Sequence, residues 1–537
     1  LPLRLRELYL PLEHTCEDLR AEAAARLGLR PEDLVQVEPL RRAVDARRKG
    51  NIRFVYTVLV RLGDAALEEA VAAGARGSQV ALWRPEPVRQ LAVGRERLSG
   101  PVAVVGAGPA GLFAALRLAE AGYAPLVIER GRPVEERSRD VAVFARGLGL
   151  DPESNVVFGE GGAGTFSDGK LTHRTESPEA ALVLRVLRDC GAGAELLVDA
   201  RPHVGSDVLP SVVAALRRRI EGAGGRFLFG RRAAAFVVRG GELVALELAE
   251  PGGSSELRVG AVLLAPGASA RDTWRALLEA GIELRCRPTL IGIRVEHPQE
   301  LVDRAQYGGF AGHPALGPAE YFLKCAGSPR LRPVHSFCMC PGGQVIAVAS
   351  SPGMLSTNGM SRRARDSGFA NAALVAPVGP RDYGGERPLA GAEFLERLER
   401  AVFEAGGGDW SLPCARLIDF VNGRRSRALP DCPAGTRRKN ADLRGMLPRQ
   451  VEESIVSAVR RFARQVRGFL SDRASVYAAE LRAGSPVRVL RGEDGSSPSA
   501  RGLFPAGEGA GYSGGIVSSA VDGLNQAARL ISRFAPP

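Results

Sequence analysis

The sequence predicts an α/β fold. A doubly wound, parallel sheet is interrupted by an inserted α+β domain and preceded by a small α+β module. Three observations predict it. Val102–Val105, Leu126–Ile128 and Ala261–Ala265 are short, wholly apolar runs of the kind that form buried parallel strands. The first two bracket a helical pattern, with Leu112, Leu116 and Ala119 on one face, which makes a βαβ unit. The same mixture of apolar residues and glycine returns at Gly502–Gly515, after a long stretch of different pattern.

The N-terminal module comes first. Leu3–Leu10 alternates as a strand, and Cys16–Leu27 reads as a helix capped by Thr15, with Asp18 three residues on. Leu34–Leu40 and Ile52–Leu62 read as strands and Asp64–Ala73 as a second helix. That order predicts a small α+β domain with an antiparallel sheet. The basic turn Arg41–Arg53 either contacts an anionic group or lies in solvent. Pro85, Pro87 and the charged Arg95–Arg97 before Gly100 mark a linker.

In the βαβ unit, Gly106, Gly108 and Gly111 form G-x-G-x-x-G directly after a strand, with Pro109 and Ala110 between them. Gly106 permits the tight turn, Gly108 lets backbone approach a pyrophosphate, and Gly111 lets helix and strand pack closely. The helix N-terminus offers free N–H groups to phosphate. Glu129 ends the second strand, where a carboxylate accepts from a ribose 2′-OH and disfavours a 2′-phosphate, so the bound nucleotide is not NADP. The same spacing recurs at Gly159, Gly161 and Gly164 and at Gly509, Gly511 and Gly514, but without the full strand–turn–helix–strand–acid context.

After a loop and helix from Arg130 onward, Asn155–Lys170 carries glycines at 159, 161, 162, 164 and 169. It is too poor in large apolar groups for a core element and reads as a backbone-lined cradle. Ala163 extends it, and Thr165, Ser167, Asp168 and Lys170 add polar anchors. Ala180–Arg188 and Val208–Ile220 read as helices; Arg226–Phe229, Ala235–Val238 and Val244–Leu248 read as strands of a small meander. The strand Ala261–Ala265 runs straight into Pro266-Gly267, again a glycine turn at a strand's carboxyl end.

From about Thr289 to Ser485 strands such as Ile291–Val295 and Val345–Ala349 alternate with long loops and the helices Ala392–Glu404 and Val451–Leu470. Cys338-Met339-Cys340 precedes a glycine turn here. Such a pair is either a redox or cofactor-facing dithiol or two small residues packed as weak hydrophobes. The last segment, with Gly507, Glu508, Gly514, Gly515 and Ile516, leads from a short strand into the helix Ile516–Ile531.

A plain nicotinamide dehydrogenase needs only the first glycine turn. A ligand with a nucleotide at one end and a reactive ring at the other explains all three, and FAD fits: ADP on Gly106–Gly111 and Glu129, ribityl and isoalloxazine near Gly159–Lys170 and Gly507–Ile516. No second complete nucleotide unit appears, so NADH or NADPH enters only as an external reductant, if at all.

The stretches VVGAGPAGLFAAL, LDPESNVVFGEGGAGTFSDGKLT, RPHVGSDVL, LLAPGASARDT, GIRVEHPQ, SFCMCPGG, STNGMSRRARDS and PAGEGAGYSGGIVSSAVDG resemble the bacterial and plastid family of uncharacterised FAD-dependent dehydrogenases. That family belongs to the glutathione-reductase-like Rossmann flavoprotein superfamily, and the resemblance covers essentially the whole chain. It implies that Gly106, Gly108, Ala110, Gly111, Glu129 and Arg130 hold the ADP half. Ala265 and Gly267 match the superfamily's strand-turn motif and Glu508 its late acidic position near the ribityl. Ala233 falls where backbone faces adenine, although the superfamily usually has Val there. The family's substrate is undefined, and the resemblance implies no particular reaction.

The expected organisation is therefore an N-terminal module over 1–95, an FAD-binding domain over 96–285, an inserted substrate or cap domain over 286–485, and the return of the FAD-binding domain over 486–537. The expected function is an FAD-dependent oxidoreductase acting on a small molecule or an electron donor or acceptor. Polar groups expected near the ring are Asp168, Lys170, His203, Cys338 and Cys340, none with a pattern that fixes a catalytic role. Other readings are a tRNA-modifying flavoprotein, a non-enzymatic redox sensor, and a reductase of lipid double bonds.

Composition bounds these readings. The formal charge is +12, nearly all of it arginine, in short scattered clusters without interleaved aromatics, which does not favour nucleic acid. No apolar run is long enough to span a bilayer. The acids Glu7 and Glu13 argue against a secretory or transit leader. Eight cysteines in 537 residues, none in metal-binding spacing, predict free thiols, no metal and a cytoplasmic location, or a plastid one in a photosynthetic eukaryote. The sequence does not fix the oligomeric state.

Overall fold

The computed structural model describes residues 1–74, 79–84, 92–171 and 177–537. The expected linker residues Pro85 and Pro87, and Thr172 at the end of the glycine-rich stretch, lie outside them.

The fold is α/β, as expected. Five short strands form a parallel sheet in the order Leu503–Pro505, Ala261–Leu264, Val102–Val105, Leu126–Glu129 and Arg226–Phe229. Its three inner strands are buried along their whole length, which explains their uninterrupted apolar sequence. Helices Pro109–Glu120 and Ile516–Arg533 pack against each other over this sheet. Gly523 makes the close crossing possible, since a Cβ there would lie 2.0 Å from the Ala110 carbonyl oxygen. Arg226–Phe229 departs from expectation. It is the parallel edge strand beside Leu126–Glu129, and the antiparallel meander is built by Arg232–Arg239, Glu242–Glu250 and Gly253–Arg258. The turn at Gly230 separates two sheets that look continuous in sequence.

A second, seven-stranded sheet lies wholly between residues 289 and 480. Its centre is Thr289–Pro298, antiparallel to Phe369–Val378 on one side and to Ser475–Glu480 on the other. Helices Ala390–Ala405 and Arg449–Gln465 bury an apolar stripe on it, with Phe394, Leu395, Ile455, Val459 and Phe462 in the core. Arg271, from helix Arg271–Glu279 beside the parallel sheet, donates to Glu399 of the second region at 2.9 Å. Arg482 reaches the same carboxylate at 3.1 Å.

The N-terminal module has the expected antiparallel sheet, with an added strand Val80–Leu82, and its first helix carries the expected Thr15–Asp18 capping box. The basic turn is shorter than expected, because the second strand runs on through Arg41 and Arg42 to Asp45. Arg42 exchanges backbone hydrogen bonds with Val198 and Ala200 and forks onto Asp199 at 2.8 and 3.0 Å, which docks the module on the body of the protein.

Candidate functional site: a cradle of three glycine turns

Each glycine turn follows from local packing. The Gly106 amide donates to the Ile128 carbonyl at 2.8 Å, and its φ of 97° turns the chain out of the strand. A Cβ on Gly111 would lie 1.8 Å from the Gly106 carbonyl oxygen, so this glycine lets the helix sit on the strand end. A Cβ on Gly108, by contrast, would meet only the Gly162 Cα, 3.8 Å away. Gly108 therefore faces a groove whose opposite wall is the second glycine turn.

That second turn is seated by hydrogen bonds. Gly161 donates to the Ala107 carbonyl at 2.8 Å, and the carboxylate of Glu129 accepts from the amides of Ala107, Gly131 and Gly159 at 2.8, 2.9 and 3.0 Å. Arg137, fully buried on helix Val134–Ala145, donates to the carbonyls of Asn155, Val156, Gly159 and Glu160. Burial lowers this guanidinium to about 10 and raises the neighbouring Glu160 carboxyl, which accepts from the Val134 amide, to about 7. The glycine-rich stretch is thus irregular yet mostly buried. Arg137 gave no sequence signal, since its helix reads as an ordinary polar one.

The third turn closes the same space. Gly164 lies against Ile516, its would-be Cβ 3.0 Å from that side chain and 3.9 Å from Pro109. A Cβ on Gly507 would lie 2.8 Å from that of Ala110, and Gly507 donates to Asp522 at 2.8 Å. Gly514 and Gly515 have open space where a Cβ would stand, as does Gly267 after the strand Ala261–Leu264. Glu508 sits beside Gly515, and burial raises its carboxyl to about 7 against the pull of Arg287.

The residues present fit a dinucleotide with a long arm. Helices Pro109–Glu120 and Ile516–Arg533 both begin at glycines with no side-chain cap, so their first N–H groups need partners from elsewhere. Glu129 has a second lone pair free on Oε2, enough for one ribose hydroxyl. Arg130 is already held by Asp272, twice at 3.0 Å, and by Glu153 at 2.7 Å, so its charge is matched inside the protein. Ala233 is buried at the start of the meander. Ala163 is exposed at the tip of the second turn, and Ser167 caps that turn by donating to the Gly164 carbonyl at 2.7 Å. Thr165 Oγ1 is buried with no hydrogen-bond partner among the described residues.

Beyond the second turn the chain enters a polar cluster. Asp168, 1% exposed, accepts from Ser361 on one oxygen. Its other oxygen lies 3.7 Å from His203 Nδ1, 3.7 Å from Arg365 and 3.9 Å from Lys170, and has no hydrogen bond among the described residues. Glu320 holds the far sides of Lys170 and Arg365 at 3.5 and 3.4 Å. His203 Nε2 donates to the Arg362 carbonyl at 3.1 Å, which leaves Nδ1 as a bare acceptor facing a carboxylate. Burial, with Arg365 nearby, lowers the His203 pKa and keeps the ring neutral. Asp168, Lys170 and His203 are thus brought together as the sequence suggested. Ser361 and Arg365, which complete the cluster, lie in the quoted stretch STNGMSRRARDS but were not singled out.

Comparison with known proteins agrees with this geometry. A model of an FAD binding domain matches residues 99–163, and one described as FAD-dependent protein, C-terminal domain-like, matches 288–483. A domain of unknown function matches 3–61. An uncharacterised protein of Clostridium beijerinckii is 36% identical over 539 residues, which is 100% of this chain and 99% of that protein. The chain belongs to that protein's FAD-dependent family. The family expected from the quoted stretches is therefore borne out, and the protein is an FAD-dependent protein. Among solved structures, a geranylgeranyl bacteriochlorophyll reductase-like protein from Thermoplasma acidophilum is 13% identical, covers 81% of this chain and 79% of its own, and has a TM-score of 0.34. A 3-ketosteroid-Δ4-(5α)-dehydrogenase from Rhodococcus jostii is also 13% identical, covers 82% and 99%, and has a TM-score of 0.34. At these values the likeness says nothing about the substrate of the FAD-dependent family. Among the described residues no helix is long and apolar enough to cross a membrane.

Proposed function

We propose that the protein is a dehydrogenase or reductase that holds FAD tightly across the three glycine turns and admits a small-molecule substrate beneath the second sheet. One observation carries this reading: Gly108 faces Gly162, Gly164 touches Ile516, and Gly507 touches Ala110, so turns far apart in sequence surround one groove. The division into base (96–285 and 486–537), cap (286–485) and N-terminal module (1–95) is part of the proposal. The return of Leu503–Pro505 to the first sheet supports it. Gly106–Gly111, Glu129 and the Arg130 backbone would hold the ADP half, with Ala233 and the Ala265–Gly267 turn flanking it. Gly161–Thr165, Gly507, Glu508 and Gly514–Ile516 would hold the ribityl and ring.

Bound there, FAD supplies two-electron chemistry with the substrate. The chain's own residues do the rest. The Asp168–His203–Lys170–Arg365 cluster, at the end of the cradle loop, is the polar wall of the substrate chamber. His203 Nδ1, neutral and backed by Asp168, accepts a proton from a substrate hydroxyl or from water. Lys170 and Arg365 orient a carbonyl or carboxylate. The external reductant would be NADH or NADPH, and the free thiols of all eight cysteines favour a reducing cytoplasm.

The test is the visible spectrum of the purified protein, followed by anaerobic titration with each nicotinamide. A yellow protein that releases FAD on denaturation and is bleached by one of the two is the expected result. A colourless protein that takes up no FAD would overturn the reading.

A further inference from the structure

The Cys338–Met339–Cys340 segment is not used by the cradle, and its geometry is unlike that of two packed thiols. The strand Val334–Cys340 carries a bulge opposite Phe369–Val378, where the register jumps between Phe337 and Cys340. At the bulge Cys338 has a φ of 46°, left-handed and strained for a residue with a Cβ. A residue that served only to fill space would not need that conformation. It brings Cys340 back onto its neighbour: the Cys340 thiol, 0% exposed, donates to the Cys338 carbonyl at 3.3 Å. Cys338 is only partly buried as a residue and follows the exposed Phe337, whereas Cys340 is fully buried.

Two cations fix this segment. Arg294, fully buried, donates to the Cys338 carbonyl at 3.2 Å, while its other arm is held by Glu480 at 2.6 Å. Lys170, at the end of the cradle loop, donates to the Met339 carbonyl. The pair therefore stands where the cap touches the cradle. The hydrogen bond from Cys340 lowers the Cys338 pKa, with Arg294 and Lys170 acting the same way against burial and the charge of Asp168. The side-chain hydrogen bond with Cys338, burial and the charge of Asp168 raise that of Cys340. A thiol favoured as thiolate on the less buried residue, beside a protonated one on the fully buried residue, is the order of an attacking and a resolving cysteine.

We propose that Cys338 and Cys340 form a dithiol–disulfide couple that reduces a small organic disulfide, with Cys338 as the attacking and Cys340 as the resolving residue. In the first step the Cys338 thiolate attacks one sulfur of the disulfide. A Cys338–substrate S–S bond forms, the substrate's S–S bond breaks, and one substrate thiolate leaves and takes up a proton. In the second step Cys340 gives up its proton and attacks the Cys338 sulfur. The Cys338–Cys340 bond forms and the second substrate thiol departs. The protein loses two protons and two electrons, and the disulfide gains them.

The sequence makes the test direct. Trypsin cleavage after Arg330 and Arg362 yields a peptide holding Cys338 and Cys340 as its only cysteines. The holoprotein is incubated with hydroxyethyl disulfide, its remaining thiols are alkylated under denaturing conditions, and intact mass and peptide map are read. The expected result is loss of two of the eight alkylatable thiols with no added mass, both losses in that peptide as an internal cross-link. Cys340→Ser should instead retain the mercaptoethanol adduct on Cys338, and Cys338→Ser should gain none at Cys340. Full alkylation of both thiols in the wild-type protein, or an adduct on Cys340 in Cys338→Ser, would overturn the proposal. The wild-type map decides even if a variant fails to fold.

Discussion

The carboxylate of Glu129 accepts a hydrogen bond from the amide of Gly159 at 3.0 Å, and so ties the nucleotide turn to the second glycine turn. The residue expected to hold a ribose therefore has a second task, with three backbone amides converging on it. Glu129→Gln presents an amide donor to some of these donors and should cost on the order of 2 kcal/mol in the apoprotein, read by urea unfolding without flavin. A variant that loses FAD and keeps full apoprotein stability would show that the clamp matters little.

Gly108 and Gly111 separate ligand room from fold room. Gly108→Ala has no protein atom closer than 3.8 Å to its Cβ, and should leave apoprotein stability within about 1 kcal/mol while weakening FAD by roughly tenfold or more. Gly111→Ala collides with the Gly106 carbonyl and should cost about 3 kcal/mol. Denaturant unfolding of the two apoproteins, with flavin fluorescence titration of the first, checks both.

Arg137→Met removes the guanidinium that donates to the carbonyls of Asn155, Val156, Gly159 and Glu160. The loss should be about 3–5 kcal/mol, with faster proteolysis of the 155–170 stretch. Arg137→Lys should not restore it, because an ammonium lacks the planar fork that reaches several carbonyls at once.

Glu399 is buried between Arg271 and Arg482 and accepts from both, at 2.9 and 3.1 Å. Glu399→Gln leaves two guanidinium groups short of charge and should cost about 3–5 kcal/mol. Because Arg271 comes from the helix beside the parallel sheet and Glu399 from helix Ala390–Ala405 on the second sheet, calorimetry should show one thermal transition splitting into two.

His297 is fully buried, donates to the Phe469 carbonyl at 2.8 Å, and is pushed down to about 4 by burial. A histidine depressed in the fold contributes stability that is complete above its unfolded pKa of about 6.5 and is lost as pH falls toward 4. The loss should be on the order of 3 kcal/mol. Glu160 and Glu508, raised to about 7, act oppositely and favour the fold as they protonate. The comparison must therefore be with His297→Gln, whose unfolding free energy should fall less between pH 6.5 and 4.

The glycine turns and buried strands were legible because each is a local pattern: an apolar run, a glycine where backbone must turn, an acid at a strand end. Their meeting around Pro109 followed only from asking what single ligand would need all three. The Asp168 cluster was half legible. Its chain-local members stood out, whereas Ser361, Arg365 and Glu320 arrive from far along the chain, and nothing near them in sequence marks the encounter. Arg137 and Glu399 were invisible for the same reason, since a buried charge is recognised by partners that only the fold supplies. Arg226–Phe229 was assigned to the meander because four half-apolar residues carry no record of which neighbour they pair with.

The strand Leu503–Pro505 completes the parallel sheet beside Ala261–Leu264, and the whole seven-stranded sheet lies between them in the chain. During synthesis the cap strands 289–480 emerge, and can find one another, while the base still lacks an edge of its sheet and the helix that covers Ala110. Closure across so long a loop is slow compared with the local pairings inside the cap. The second sheet can thus form before the parallel sheet is closed, and the groove between the three glycine turns is then among the last features of the fold to be completed.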